Sequence, residues 1–215
     1  MNINRQNLSL AAGMAAAVAL TAGALIASTA RAESGIEPGK PAPAFTATDS
    51  YGETVSLAGL SGRTVVMEWT NDGCPFVRKH YANPPGNMQD LQAEAGEKGA
   101  VWLTVISSAP GKQGHADGER ANELTEARSA SPTHVLLDPA GTLGRLYKAK
   151  TTPHMIVIGP DGKVAYQGAI DSVASANVAD IATATNYVRE ALDSLALGEP
   201  VRVKTTKPYG CSVKY

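Results

Sequence analysis

Cys74, one of two cysteines in the chain, lies where an apolar run changes into a basic stretch, and its surroundings constrain the fold more than any other part of the chain. Val65–Trp69 combines the β-branched and aromatic side chains of a short strand, and Asn-Asp-Gly at 71–73 is typical of a turn. Pro75 has the fixed φ that suits the first position of a helix. The segment therefore predicts a strand, a turn and a helix, with Cys74 at the helix start.

This position has a chemical consequence for the thiol. A cysteine at a helix start faces unpaired backbone N–H groups and the positive end of the helix dipole, and both lower its pKa. The thiolate attacks disulfides and peroxides, so the position favours redox chemistry. Arg78 follows one helical turn later, where it either stabilises the thiolate or lies in solvent. The alternative for Cys74 is an inert buried thiol, as free cysteines often are.

The N-terminal residues 1–32 are predicted to be a signal peptide rather than part of the fold. Arg5 gives a positive start, an apolar run covers 8–27, and Ala-Arg-Ala at 30–32 forms a cleavage site after Ala32. This pattern predicts a periplasmic or secreted protein without stable membrane association. Because the apolar run approaches the roughly 20 residues that span a bilayer, an uncleaved membrane anchor is the alternative.

The rest of the chain is long enough for one domain, expected at 33–198, followed by a tail at 199–215 that carries Cys211. The whole chain has 19 basic and 20 acidic residues and no basic stripe, so nucleic acid is not expected as a partner. In an oxidising compartment, Cys74 and Cys211 favour a disulfide, either structural or catalytic.

Strands and helices alternate along the domain, which then ends in a hairpin and a helix. The patterns predict strands at 45–48, 54–57, 64–69, 100–106, 133–138, 155–158 and 163–167. They predict helices after Cys74, at 87–98, at 119–129, within 139–149 and continuously over 175–197, and a tail without clear periodicity. This order predicts an α/β three-layer sandwich, with a central mixed sheet flanked by helices.

Three motifs lie at fixed places in this order: Gly-Cys-Pro-Phe-Val-Arg-Lys-His at 73–80, Lys-Thr-Thr-Pro-His-Met at 150–155, and Gly-Cys-Ser-Val-Lys-Tyr at 210–215. With them, the chain resembles the thioredoxin superfamily over about residues 38–198. Within it, the chain is similar to the redoxin branch of alkyl hydroperoxide reductase and thiol-specific antioxidant proteins, and to a peroxiredoxin-like subgroup with a single active-site cysteine. The resemblance implies a cis Thr152–Pro153 bond against Cys74.

The chain departs from the family pattern near that cysteine. Thioredoxins have a second cysteine three residues after the first, where this chain has Val77. Peroxiredoxins have Thr or Ser three residues before the reactive cysteine, where this chain has Asn71, and Pro four residues earlier, where it has Met67. Thr70 is one residue out of register. The resemblance thus implies a nucleophile without an adjacent resolving thiol, and it leaves peroxidase activity open.

Cys211 is the expected resolving thiol, provided that the tail folds back to within disulfide reach of Cys74. A permanent structural disulfide, two free thiols and an intermolecular bond are the alternatives. By resemblance, Thr152 and Pro153 are expected to shape the substrate contact. From the helix position, the helix start at Pro75 together with Arg78 is expected to lower the pKa of Cys74.

The sequence therefore predicts an exported thiol-dependent oxidoreductase, in which Cys74 attacks a disulfide-bearing protein or a hydroperoxide and a thiol reductant completes the cycle. No organic cofactor is implied. The competing hypothesis is a non-enzymatic binding or chaperone module with a structural Cys74–Cys211 disulfide.

A copper metallochaperone is the least favoured function, because Cys74 has no second cysteine nearby to join His80 or His154 as a ligand. No metal site is therefore predicted. We expect His80 at the surface and His154 packed beside the hairpin.

Overall fold

The computed structural model describes residues 36–82 and 86–215. The predicted signal peptide at 1–32 lies outside the described residues. None of the helices in the two described stretches has the length and apolar character of a membrane span.

Seven strands form one mixed sheet, and two short strands form a second one. The strands are β1 (Thr46–Asp49), β2 (Thr54–Ser56), β3 (Val65–Trp69), β4 (Val101–Ile106), β5 (His134–Leu137), β6 (Thr151–Thr152), β7 (His154–Ile158), β8 (Val164–Gly168) and β9 (Cys211–Ser212). The large sheet has the order β2-β1-β5-β4-β3-β7-β8, and the small one pairs β6 with β9. Strands β5, β4 and β3 are parallel, while the pairs toward both edges are antiparallel.

Helices cover both faces of this sheet. They are α1 (Pro75–Tyr81), α2 (Asn87–Glu97), α3 (Gly118–Ala127), α4 (Thr142–Leu146) and α5 (Tyr187–Ala196), with short 3₁₀ helices at Ala58–Leu60 and Val178–Ala182. One apolar core lies between the sheet and helices α1, α2 and α5, and a second lies on the opposite face with α4. The predicted three-layer sandwich with a central mixed sheet is confirmed, and it is a thioredoxin-like fold.

Strand β3 determines where the chain leaves the sheet before α1. Every residue of β3 is buried, with Val65 and Met67 in one core and Val66 in the other. This two-sided burial is typical of a central strand in a parallel pair. Its last residue, Trp69, pairs in register with Val105 of β4, so the chain leaves the sheet toward Cys74 from a fixed point.

The predicted continuous helix over 175–197 is wrong, because the chain forms a 3₁₀ helix and then α5. Asn186 caps α5, since its side-chain oxygen accepts the N–H of Arg189 at 3.0 Å. The backbone at this break turns toward the sheet, and the N–H of Tyr187 donates to the carbonyl of Ile170 at 3.1 Å. An asparagine side chain competes with the helical backbone in this way and ends the regular pattern.

The tail follows the edge of the large sheet before it reaches the Cys74 end of the domain. It runs beside β8, where the N–H of Gln167 donates to the carbonyl of Lys204 at 3.1 Å. Val201 is buried in the core under α5, and Val203 packs against the same core. The tail then forms the short strand β9, which pairs with β6. This strand was not predicted, because the tail sequence has no clear periodicity.

Candidate active site

Cys74 is the residue immediately before α1, and Pro75 occupies the first helical position. Its backbone is extended (φ −84°, ψ 122°), and its carbonyl accepts the N–H groups of Val77 and Arg78 at 3.1 and 3.0 Å. The thiol itself is fully buried, with 0% exposure. The predicted order of strand, turn, cysteine and helix is therefore confirmed.

The second motif contacts this thiol directly. The Thr152–Pro153 bond is cis, as predicted, and the thiol of Cys74 donates to the carbonyl of Thr152 at 3.1 Å. Thr152 and Pro153 are both buried. The peptide group between them therefore forms one wall of the space around the sulfur.

The tail brings the second cysteine to the same wall. In the pairing of β6 with β9, Cys211 lies opposite Thr152, whose hydroxyl donates to the Cys211 carbonyl at 3.4 Å. Gly210 permits the close approach: its φ is +127°, and a Cβ there would collide with the Thr152 carbonyl oxygen. The tail thus lies against the Cys74 end of the domain, in agreement with the expectation from the sequence.

The two thiols have different acidities. Burial raises the pKa of Cys74, but hydrogen bonds from the side chain and backbone of Cys211 and from the N–H of Val77 outweigh it, so this pKa lies below its ordinary value. The pKa of Cys211 is raised to about 11 by burial and by its interaction with the neighbouring Cys74. The pair therefore favours a thiolate at Cys74 and a protonated thiol at Cys211, and both are free cysteines in the structure.

Of the two positions expected for Arg78, beside the thiolate or in solvent, the structure shows the second. Its side chain is exposed, and its Nε donates to the backbone carbonyl of Asp72 at 2.8 Å, which holds it on the turn before the helix. The groups that lower the pKa of Cys74 are those of the helix start, of Cys211 and of Thr152. Arg78 is not among these groups, which agrees with the solvent alternative.

His80 is buried rather than at the surface, because side chains from distant parts of the chain cover it. Its Nε2 lies 3.2 Å from the Tyr209 hydroxyl, and its Nδ1 lies 2.8 Å from the Asn87 amide nitrogen. Lys79 is buried too and pairs with Asp171 at 3.2 Å. A basic run next to a cysteine predicts a solvated face, so no local pattern indicated this buried network.

His154 is the first residue of β7, in the hairpin beside which it was expected to pack. Its ring lies 6.3 Å from that of Trp69, centre to centre, and its Nδ1 accepts the N–H of Lys150 at 3.1 Å. Within the described residues, the cluster of three potential ligand side chains consists of Asp49, Glu53 and His134, and Cys74 does not belong to it.

The position of the peroxiredoxin hydroxyl is occupied by an amide with other partners. The amide of Asn71 donates to the Gln113 carbonyl at 3.0 Å, and its oxygen accepts the N–H of Gly73 at 2.9 Å. The hydroxyl of Thr70 is buried without a hydrogen-bond partner among the described residues, and Thr70 lines a small cavity that Cys74 does not line.

A buried carboxyl, Glu68, lies in β3 just ahead of the cysteine loop and was not among the residues expected from the sequence. It accepts hydrogen bonds from the Tyr81 hydroxyl at 2.9 Å and from the Trp102 indole at 3.0 Å. Burial raises the pKa of this carboxyl, although these donors partly oppose the shift. In the sequence, the only feature that could have indicated this buried carboxyl is a lone acidic residue within an apolar strand.

Comparisons with known proteins agree with the fold. The AhpC/TSA family model matches residues 38–167. Among solved structures, the chain is similar to an uncharacterized conserved protein from Geobacillus kaustophilus, with 26% identity, a TM-score of 0.69 and coverage of 84% of this chain and 93% of that one. It is also similar to a hypothetical protein from Sinorhizobium meliloti 1021, with 19% identity, a TM-score of 0.67 and coverage of 84% and 96%, which bears on the fold alone. No match is found among curated proteins.

Proposed function

The chain belongs to the AhpC/TSA family, and from this premise we propose that it is a thiol-dependent oxidoreductase with Cys74 as nucleophile and Cys211 as resolving thiol. The observation that carries the proposal is that both cysteines meet at Thr152: Cys211 pairs with it in the small sheet, and the Cys74 thiol donates to its carbonyl. In this proposal Cys211, although distant in the sequence, takes the role of the second cysteine of a thioredoxin motif, whose position is occupied by Val77.

The acidity of the two thiols supports the assignment of their roles. The nucleophile of an exchange reaction is a thiolate, and the pKa of Cys74 is the one that is lowered. Cys211, whose pKa is raised to about 11, stays protonated until Cys74 has been oxidised. Oxidation removes the Cys74 anion, and with it one of the interactions that raise the pKa of Cys211.

Two substrate classes enter through the same first step. With a disulfide, the Cys74 thiolate forms a mixed disulfide and one substrate sulfur leaves as a thiolate; Cys211 then attacks the Cys74 sulfur, loses its proton and releases the second substrate sulfur. With a hydroperoxide, Cys74 becomes a sulfenic acid and an alcohol or water leaves; condensation with Cys211 then releases water. Either route leaves a Cys74–Cys211 disulfide, which two equivalents of an external thiol reduce.

The surroundings of Cys74 bear on the choice between these substrates. The amide of Asn71 is engaged with other partners and offers no hydroxyl to a peroxide. Because Cys74 is fully buried, access of either oxidant requires a movement of the structure around it, in this proposal of the tail that carries Cys211, and a protein disulfide requires the larger movement. In this proposal Thr152 and Pro153 line the path of the substrate, and Pro75 fixes the helix start.

The experiment uses the single variants Cys74→Ser and Cys211→Ser with one equivalent of hydrogen peroxide or of a small aromatic disulfide. Cys211→Ser is expected to stop at a sulfenic acid with peroxide, or at a stable mixed disulfide on Cys74, both seen by intact mass. Cys74→Ser should stay unmodified at the same times. A reaction confined to one oxidant identifies the substrate class, whereas equal modification of both variants would contradict the assigned roles.

The same experiment separates catalysis from the competing binding or chaperone module. A structural Cys74–Cys211 disulfide would resist a glutathione mixture that reduces a catalytic one. Rapid reduction of the oxidised wild-type protein is expected, and persistence of the disulfide would favour the module.

The predicted signal peptide supports export, and we propose a periplasmic or secreted location. The mature protein is then expected to begin at Glu33. Edman sequencing or intact mass of protein from the periplasmic fraction checks this N-terminus. Recovery of uncleaved chain from the membrane fraction would instead support the anchor.

A further inference from the structure

Tyr209 connects the tail to buried charges of the domain, two residues before Cys211. Its hydroxyl donates to Oδ1 of Asp171 at 2.5 Å and lies 3.2 Å from Nε2 of His80. The other carboxylate oxygen of Asp171 pairs with Lys79 at 3.2 Å. The tail therefore contributes one neutral hydroxyl to a site whose charges belong to the body of the domain.

The hydrogen bonds fix the direction of each donor in this network. The Asn87 oxygen accepts from Asn186 at 3.0 Å, so its nitrogen is the group facing Nδ1 of His80 at 2.8 Å. That nitrogen donates, which leaves the proton of a neutral His80 on Nε2, where it points to the Tyr209 oxygen. The Tyr209 hydroxyl then donates its own proton to Asp171, so each side chain of this hydrogen-bond network has a partner.

The charges of this network are fixed within the domain. The side chains of Lys79 and Asp171 are 0% and 2% exposed. Lys79 also donates to the carbonyl of Val173 at 3.1 Å, and the Val173 N–H donates to Asp171 at 3.0 Å. None of these bonds involves the tail, so withdrawal of the tail removes none of them, and the site for the Tyr209 hydroxyl does not depend on the tail for its charges.

We propose that Tyr209 is a positioning residue, which returns the tail to this site and thereby places Cys211 over Cys74. The inference rests on the proposed function and adds the group that controls its second step. Cys74 is fully buried, and Cys211 of the tail packs against the core cluster that contains it, so in this proposal an oxidant reaches Cys74 after the tail lifts. The bond from Tyr209 to the buried carboxylate then favours the return on which resolution depends.

The substitution Tyr209→Phe tests this, since it keeps the ring that packs on Phe76 (5.9 Å between centres) and removes only the hydroxyl. Loss of one hydrogen bond to a charged group shifts an equilibrium by about tenfold or more. Two rates should therefore move in opposite directions. Alkylation of Cys74 at a pH where it is fully ionised should become faster and formation of the Cys74–Cys211 disulfide after oxidation slower, and because both rates depend on the one equilibrium of the tail, the two fold-changes should multiply to about ten.

Two further tyrosines serve as controls. Tyr51 is 78% exposed, so Tyr51→Phe should leave both rates unchanged. Tyr215 anchors the other side of the tail through a neutral acceptor, the Ala149 carbonyl at 2.8 Å, so Tyr215→Phe should have the smaller effect of the two tail variants. Rates of Tyr209→Phe that both rise, both fall or stay within twofold of wild type would overturn the proposal, as would an equal effect of Tyr215→Phe.

Failure of the proposed function would be visible separately. If wild-type protein forms no Cys74–Cys211 disulfide, the assignment of Cys211 as resolving thiol fails. If the disulfide forms and only the opposed response of Tyr209→Phe is missing, the positioning role alone fails.

Discussion

The buried ion pair of Lys79 and Asp171 makes a strong prediction about stability. Lys79→Met keeps most of the side-chain volume and removes the charge that faces the carboxylate at 3.2 Å. Breaking a buried pair from one side costs about 3–5 kcal/mol, because the remaining charge is left without its partner. Asp171 would still accept from Tyr209 and Val173, so we expect the lower end, a loss of about 3 kcal/mol in the free energy of unfolding.

Urea unfolding measures this loss directly, and thermal unfolding should show Tm lower by about 6–12 °C for a domain of this size. The matched control is Lys163→Met, because Lys163 pairs with Asp161 at 3.1 Å while both side chains are more than half exposed. The control should change stability by less than about 0.5 kcal/mol. If both variants lose the same small amount, the reasoning about a buried, mutually dependent pair is refuted.

Three further predictions concern the thiols, the tail and a buried acid. The rate of Cys74 alkylation against pH should have its midpoint below the ordinary thiol value of about 8.5, and a midpoint at or above it contradicts the lowered pKa of this thiol. Gly210→Ala should slow formation of the Cys74–Cys211 disulfide severely, because the added Cβ forces the tail away from Thr152. In the control Gly198→Ala, the residue also has a positive φ but open space around it, so the rate should stay unchanged and only a little stability should be lost. Equal rates for the two variants would exclude the steric explanation. Burial raises the pKa of Glu68, so the folded protein holds this proton more tightly than the unfolded chain and loses stability as pH rises above the ordinary carboxyl pKa of 4.5. Glu68→Gln should therefore flatten the decline of Tm with rising pH above that value, and an unchanged slope counts against this assignment.

Local patterns predicted the parts of the molecule that local chemistry determines. The strand before Cys74, the turn and the proline at the helix start lie within a dozen residues, and the structure has them as expected. The approach of Thr152–Pro153 to Cys74 was accessible only through the family resemblance, because 78 residues separate the two bonded groups.

Contacts over long distances in the sequence explain what was missed. Lys79 and His80 look like part of a solvated basic face, and their partners Asp171 and Tyr209 are 92 and 129 residues away. No periodicity in the tail predicted β9, since its two residues gain their pairing only from β6. The break before α5 follows from the side chain of Asn186, whose capping role the apolar spacing on either side concealed.

The reduction potential of the Cys74–Cys211 couple tests the central claim most directly. Oxidised protein is equilibrated with defined ratios of reduced and oxidised glutathione, and the fraction of disulfide is read by alkylation and mass mapping. A couple that turns over should have a potential above about −300 mV, and the disulfide should map to Cys74 and Cys211 within one chain. A potential below that value, or a disulfide that does not join these two residues, would contradict the catalytic role of the pair.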